Sequence, residues 1–245
     1  MKLITLNTWG KCGPYQERWE YFLKQLELIR PNVLCLQEVG DDELTRKIKT
    51  KFNFPYAHAA YDAGLLILSE YFLIQPEVIH YPTQSQLEHC DRKALLVQIQ
   101  IKQKSICIAN THLSWKEEDQ QTRLNQVKEL LLKVKTHPNP TILTGDFNDL
   151  PESPAGKELR ACHFTNLAQA LNPKAKIITW DNQNHFIQTH QVHFPDRQID
   201  YIWIPETASN ILEPKTCEVV FCTKNKNGIY PSDHYGLMAE FKLKT

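Results

Sequence analysis

The sequence predicts an α/β fold with two sheets flanked by helices, and three observations carry that expectation. Apolar residues recur at helical spacing over Tyr15–Ile29 and over 117–135. Short β-rich runs separated by turn residues fill much of the remaining chain. The chain also opens strand, helix, strand, a sequence that favours parallel pairing through a right-handed crossover. At 245 residues and 42% hydrophobic, with no internal repeat, low-complexity tract or Gly/Ser linker, the chain is expected to form one domain over 1–245.

Taken in order, residues 3–6 form a short apolar strand that ends at Asn7. The following helix carries Trp19, Phe22, Leu23, Leu26 and Ile29 on one face and stops before Pro31. Residues 33–36 form a buried strand ending at Glu38. Segments 63–68, 73–81, 94–101 and 105–110 read as antiparallel neighbours, with a hairpin turn over 102–104. The second helix presents Leu124, Val127, Leu130, Leu131 and Val134 and is stopped at His137-Pro138. Strands are expected at 141–143, 199–204, 216–221 and 237–241.

Balanced charge, 28 Lys+Arg against 28 Asp+Glu, excludes attachment to nucleic acid by bulk charge alone. No secretory signal and no run of eighteen apolar residues is present, so a cytoplasmic chain without a membrane span is expected, with monomer as its favoured state. The seven cysteines show no C-x-x-C spacing and are expected as reduced core thiols.

Nearly every predicted strand end carries an acid, an amide or an imidazole: Asn7, Glu38, His112, Asp146 with Asn148, Asp200, and Asp233 with His234. Each alone has an ordinary reading as a cap or Asx turn. Six at one end of successive strands imply a shared ligand. Glu38, Asp146, Asn148 and Asp233 offer oxygen only, which suits Mg²⁺ or Mn²⁺ rather than Zn²⁺, and a hard cation implies a phosphate substrate. His234, with a carboxylate such as Asp200 to fix its tautomer, adds proton-handling chemistry.

In the same order, Leu6-Asn7-Thr8-Trp9, Leu36-Gln37-Glu38-Val39, Thr111-His112-Leu113, Gly145-Asp146-Phe147-Asn148, Ile199-Asp200-Tyr201-Ile202 and Ser232-Asp233-His234 resemble the motifs of the exonuclease–endonuclease–phosphatase superfamily. Its sphingomyelinase-like and tyrosyl-DNA-phosphodiesterase-like arms are nearer than its abasic-site endonucleases. The resemblance implies a four-layered α/β sandwich of two mixed sheets packed face to face with helices outside. It implies a divalent-metal-dependent phosphodiesterase, with Mg²⁺ or Mn²⁺ held by Glu38 with Asn7 and Asp233 nearby. Asp146 would orient or deprotonate the attacking water, and Asn148 would hold that water or the scissile phosphate. His112 and His234 would donate to phosphoryl oxygens, and Asp200 would fix His234. The base is Asp146 or the His234–Asp200 pair.

Trp180 and Arg197 are candidates for a substrate lip, one stacking on a planar group and the other holding phosphate. The expected substrate is a phosphodiester, nucleic acid or nucleotide-derived, including single-stranded nucleic acid ends. A sphingomyelinase-like or inositol-phosphate-phosphatase-like hydrolase is the alternative, and a non-catalytic binding module is the alternative of another class. Acidic residues at 117–119 disfavour a long duplex there. Glu70, where the family often has a cation, speaks against polyanion binding. His185, His190 and His193 lack the partners of a closed zinc site and mark a loop beside the active site.

Overall fold

The computed structural model describes residues 1–190 and 193–244. One six-stranded sheet has the order β11-β12-β1-β2-β4-β3, and the other β5-β6-β7-β8-β10-β9. The first is built from β1 (Lys2–Asn7), β2 (Val33–Gln37), β3 (Tyr56–Ala60), β4 (Leu65–Ser69), β11 (Leu212–Val220) and β12 (Gly236–Leu243). The second is built from β5 (Leu73–His80), β6 (Lys93–Ile101), β7 (Lys104–His112), β8 (Thr141–Asp146), β9 (Phe164–Asn166) and β10 (Asp200–Pro205). Both are mixed: β1 and β2 run parallel, as do β7 and β8, and every other pairing is antiparallel.

Strand alternation divides the apolar residues between layers. Leu3, Val33, Cys35, Leu65 and Ile67 meet Leu95, Val97, Ile106, Ile108, Ile142 and Ile202 between the sheets. Their neighbours Ile4, Leu6, Leu34, Leu36, Leu66 and Leu68 face outward onto Trp19, Phe22 and Leu26 of α1 (Tyr15–Ile29) and Leu44 and Ile48 of α2 (Asp42–Lys51). On the far side, Leu96, Cys107, Leu143 and Trp203 pack under α3 (Gln120–Val134) and α4 (Pro154–Ala161). The result is the expected four-layered sandwich. Because β2 and β4 are covered on both faces, their sequences are continuous apolar runs rather than alternating ones.

Helix α2, strands β3 and β9, helix α4 and the short α5 (Leu167–Leu171) were not predicted. Helix α2 is mostly charged, and only Leu44, Thr45 and Ile48 are buried, so its apolar stripe is too thin to see. The predicted helix over 117–135 divides into a 3₁₀ turn, Glu117–Asp119, followed by α3. Three cysteines, Cys35, Cys107 and Cys217, are core thiols. Cys12, Cys90 and Cys222 are exposed and Cys162 is partly exposed, so the expectation of core thiols holds for fewer than half. Among the described residues no helix is long and apolar enough to cross a membrane.

A polar bridge crosses the core just behind one end of the sandwich. Gln37 Nε2 donates to Asn110 Oδ1 (2.6 Å), and Asn110 Nδ2 donates to the Leu36 and Leu66 carbonyls. Buried amides left unpaired cost about 1–3 kcal/mol each, so this bridge fixes how the sheets register against one another.

Candidate active site

The predicted site residues collect at that end, but not for the reason the sequence suggested. Asn7, Glu38, His112 and Asp146 sit at or just beyond the carboxyl ends of β1, β2, β7 and β8. Asp200 begins β10 and His234 precedes β12, both at amino ends. Strand β10 runs antiparallel to β8 with Asp200 opposite Asp146, and β12 runs antiparallel to β1, so strand direction brings them to the same place. Each sheet supplies half the set.

Backbone geometry aims these groups. In β8, Gly145 has φ +130°, and a Cβ there would lie 1.9 Å from the Thr111 carbonyl oxygen. Glycine therefore permits β8 to approach β7 closely enough to pair His112 with Asp146. Trp9, Glu38 and Asn148 adopt left-handed backbone, at φ +54°, +58° and +50°. For Trp9 and Glu38 that is strain, stored where it turns side chains into the cleft. Arg18, fully buried, donates to the carbonyls of Thr8, Gly10, Cys12 and Pro231 and binds the loop after β1 to the loop before β12.

At the centre, Asn7 Nδ2 donates to Glu38 Oε1 (2.9 Å) and to Asp146 Oδ2 (3.0 Å). The Trp9 N–H donates to Asn7 Oδ1 (3.0 Å), which fixes the amide with its NH₂ toward the carboxylates. Asn7 thus tethers two acids and does not present its oxygen to a cation. Asp146 Oδ1 accepts the Asn148 N–H, while Oδ2 faces His112 Nε2 at 3.4 Å and His234 Nε2 at 3.9 Å. His234 Nδ1 lies 3.0 Å from Asp200 Oδ2. Asn148 Nδ2 donates to the Leu113 carbonyl, so its side chain braces the turn.

Burial and then the charge of Asp200 push Asp146 up to about 7. Burial and the nearby charge of Asp233 raise Glu38. Burial opposes charge on His234, but Asp200, Asp233 and Asp146 outweigh it and hold the imidazole well above its usual range. Burial, with Arg92 and His234 nearby, holds His112 well below its own and keeps it neutral. The cleft thus holds one imidazolium, one imidazole and carboxylates that raise one another's affinity for positive charge.

That is the test for a cation. Glu38, Asp146 and Asp233 all line the cleft and offer oxygen, and the repulsion that Asp233 exerts on Glu38 is what a hard cation relieves. Asp146, Asp200 and His234 bring ligand-type atoms within 4.8 Å of one another. Because His234 Nδ1 and Asp200 Oδ2 face each other, that trio suits proton handling better than metal binding. Asp233 is also engaged, receiving Ser232 Oγ at Oδ1 and facing His190 Nε2 across 2.9 Å at Oδ2.

Other expectations are revised. Trp180 lines the cleft, but it is only 8% exposed and sets its ring against His234 at 5.0 Å and 81°, so it backs the imidazole rather than offering an open face. Arg197 lines the cleft with its guanidinium 3.6 Å from the Phe194 ring centroid. Its Nε is buried without a hydrogen-bond partner among the described residues. Lys11, in the loop after β1, is bound by Asp41 and Glu43 at 2.7 and 2.8 Å and is not free for a phosphate. Glu70 follows β4, whose Ser69 pairs with Val33 at the start of β2, so it sits at the end of the sheet away from Glu38 and bears on nothing in the cleft. The three histidines of the 182–196 loop do not converge: His185 packs on Phe186, His190 reaches Asp233, and His193 is exposed. Gln191 and Val192 of that loop lie outside the described residues.

Sequence reasoning missed Arg18 and Arg92, and it placed His190 in a loop beside the site without foreseeing its contact with Asp233. Arg18 was visible as a charge in helical register with Phe22 and Leu26. Arg92, buried and lining the cleft beside His112, had no motif to mark it.

The chain belongs to the Endonuclease/Exonuclease/phosphatase family, whose model matches residues 4–234. It is 25% identical over 249 residues to tyrosyl-DNA phosphodiesterase 2 of Gallus gallus, covering 98% of this chain and 66% of that one. It is 27% identical over 159 residues to Protein angel of Drosophila melanogaster, covering 57% of this chain and 45% of that one. The chain therefore spans just under two thirds of the first relative's length and under half of the second's. Among solved structures it resembles D. rerio TDP2 complexed with a single-strand DNA product (TM-score 0.82, 21% identity, 99% and 98% of the two chains). It also resembles the human Nocturnin catalytic domain with bound sulfate (TM-score 0.74, 19% identity, 100% and 93%).

Proposed function

We propose that residues 1–245 form one catalytic domain, a Mg²⁺- or Mn²⁺-dependent phosphodiesterase that cleaves single-stranded nucleic acid or a nucleotide-derived ester by attack of water. The observation that carries this reading is the tethering of Glu38 and Asp146 by one amide, with a cationic His234 held by Asp200 on the other side of Asp146. Glu38, with Asp233 beside it, would hold the cation, which when bound supplies positive charge to the phosphoryl group. Asp146, with its raised affinity for a proton, takes one from water near neutral pH. His234 donates to a phosphoryl oxygen as negative charge builds, and Asp200 keeps it charged and oriented. Neutral His112 contributes a second N–H. Arg197 holds a phosphate that does not react.

Resemblance to tyrosyl-DNA phosphodiesterase 2 over nearly the whole chain supports a nucleic-acid substrate. The test is hydrolysis, with Mg²⁺ and with EDTA, of single-stranded DNA and RNA, 5′-phosphotyrosyl DNA, sphingomyelin, inositol phosphates and bis(p-nitrophenyl) phosphate. Metal-dependent cleavage of a nucleic-acid substrate supports the reading. Hydrolysis confined to the lipid or the inositol phosphates replaces the substrate class, and no hydrolysis of any member refutes the enzyme.

A further inference from the structure

Trp115 is the one tryptophan that is not buried. Trp9, Trp19, Trp180 and Trp203 are all buried, whereas Trp115 is 39% exposed on the wall of the active-site cleft, a cavity of about 690 Å³. Exposed tryptophan on a loose loop would mean little, but this one stands on a fastened backbone. Its N–H donates to Glu88 Oε1 (2.6 Å), and the other oxygen of that carboxylate accepts from Arg92 Nε (2.7 Å). The carbonyls on either side, of Ser114 and Lys116, accept from Arg123 Nη1 at 3.1 and 2.6 Å, and Arg123 is itself buried beside Asp149. The indole is covered in part by the Lys116 ammonium, 3.9 Å from the ring centroid. Among the described residues no aromatic ring packs against Trp115.

We propose that Trp115 is a stacking shelf for one unpaired nucleobase next to the scissile phosphate, offering the base the face of the indole that the Lys116 ammonium does not cover, with Lys116 for the phosphate that follows. The inference rests on the phosphodiesterase reading and narrows its substrate to single strands. A rigid, half-exposed indole loses little freedom on binding a planar ring, and each stacked base is worth a substantial factor in affinity. Arg92, Arg197 and Lys116 line the same cleft and give the charge a sugar-phosphate backbone needs. Glu117 and Glu118 follow immediately and are exposed, so a second strand continuing past the shelf would meet like charge.

Because the other four tryptophans are buried, acrylamide quenching reports chiefly on Trp115. In EDTA, a short single-stranded DNA oligonucleotide should change the intrinsic fluorescence and protect it from acrylamide, and Trp115→Phe should remove most of that signal. With Mg²⁺, Trp115→Ala should raise KM about 10-fold with kcat changed less than about 2-fold, and Trp115→Tyr should restore most of the loss. Scanning one abasic nucleotide through the oligonucleotide should find a position that weakens wild type by a similar factor and leaves Trp115→Ala unaffected, a non-additivity no merely structural role produces. Cleavage of the oligonucleotide with unchanged acrylamide accessibility, or additive losses at every abasic position, overturns the shelf and leaves the phosphodiesterase standing. Hydrolysis of bis(p-nitrophenyl) phosphate with no binding of the oligonucleotide also overturns the shelf. Absence of hydrolysis of every substrate with either metal instead removes the phosphodiesterase reading itself.

Discussion

Replacing Asp146 with asparagine removes the titrating carboxylate and keeps its shape, so the pH dependence of stability isolates its proton. In the folded chain Asp146 titrates near 7, against an ordinary 3.8. Between those values the native state holds one proton that the unfolded chain has released. A raised pKa of this kind stabilises fully below the unfolded value, and the stabilisation is lost as pH rises through the folded value. The slope is about 1.4 kcal/mol per pH unit at its steepest. From about pH 4.5 to about pH 6.5, wild type should therefore lose about 2–3 kcal/mol relative to Asp146→Asn. Most of the window lies below the ordinary histidine pKa, so unfolded histidines are charged in both chains, and Asp200 and Asp233 keep His234 charged in the folded state. The amide also meets the Asn7 NH₂ less well than a carboxylate does, but that cost does not depend on pH and drops out of the slope. Urea unfolding in EDTA at several pH values measures the difference. A constant difference, or one in which wild type gains with pH, refutes the assignment of a raised pKa to Asp146.

Glu38→Gln should raise the Mg²⁺ concentration for half-maximal rate at least about 10-fold, and EDTA should abolish wild-type hydrolysis; undiminished activity in EDTA removes the cation from the mechanism. His234→Ala and Asp146→Asn should each cost about 10²–10⁴-fold in kcat with the fold retained by circular dichroism. Trp180→Ala should lower kcat more than it raises KM, because its ring backs His234, and an effect confined to KM would return it to the substrate lip. Gly145→Ala should cost about 3 kcal/mol or more, since its Cβ would meet the Thr111 carbonyl, and an unchanged melting temperature would mean that β8 and β7 can part.

Where the sequence was legible, a single physical signal was strong. Tyr15–Ile29 was readable to the residue because its apolar stripe is broad and Pro31 closes it. Strands β3 and β9 were not: β3 is an edge of Tyr, Ala and His with one buried residue, and β9 has three residues. The short polar motifs gave the residues that meet in the cleft, because acids and imidazoles beside apolar strands have few other uses. Their directions were illegible. Nothing local says that Asp200 starts a strand while Asp146 ends one, since that depends on which strands pair. The burial of Trp180 was illegible for a related reason: a tryptophan between polar residues looks like an open lip unless one knows that an imidazole from the distant turn before β12 lies against it.

The second sheet is one uninterrupted length of chain, from β5 to β10, set into a first sheet whose strands come from both sides of it. Glu38, Asn7 and His234 belong to the outer portion, and His112, Asp146 and Asp200 to the inserted one. The bonds Asn7–Asp146 and His234–Asp200 each join the two. Hydrolysis by this cleft would therefore require both sheets to be docked, and so would report on their meeting. During refolding, secondary structure should return before hydrolysis does, and the lag between them times the meeting of the sheets.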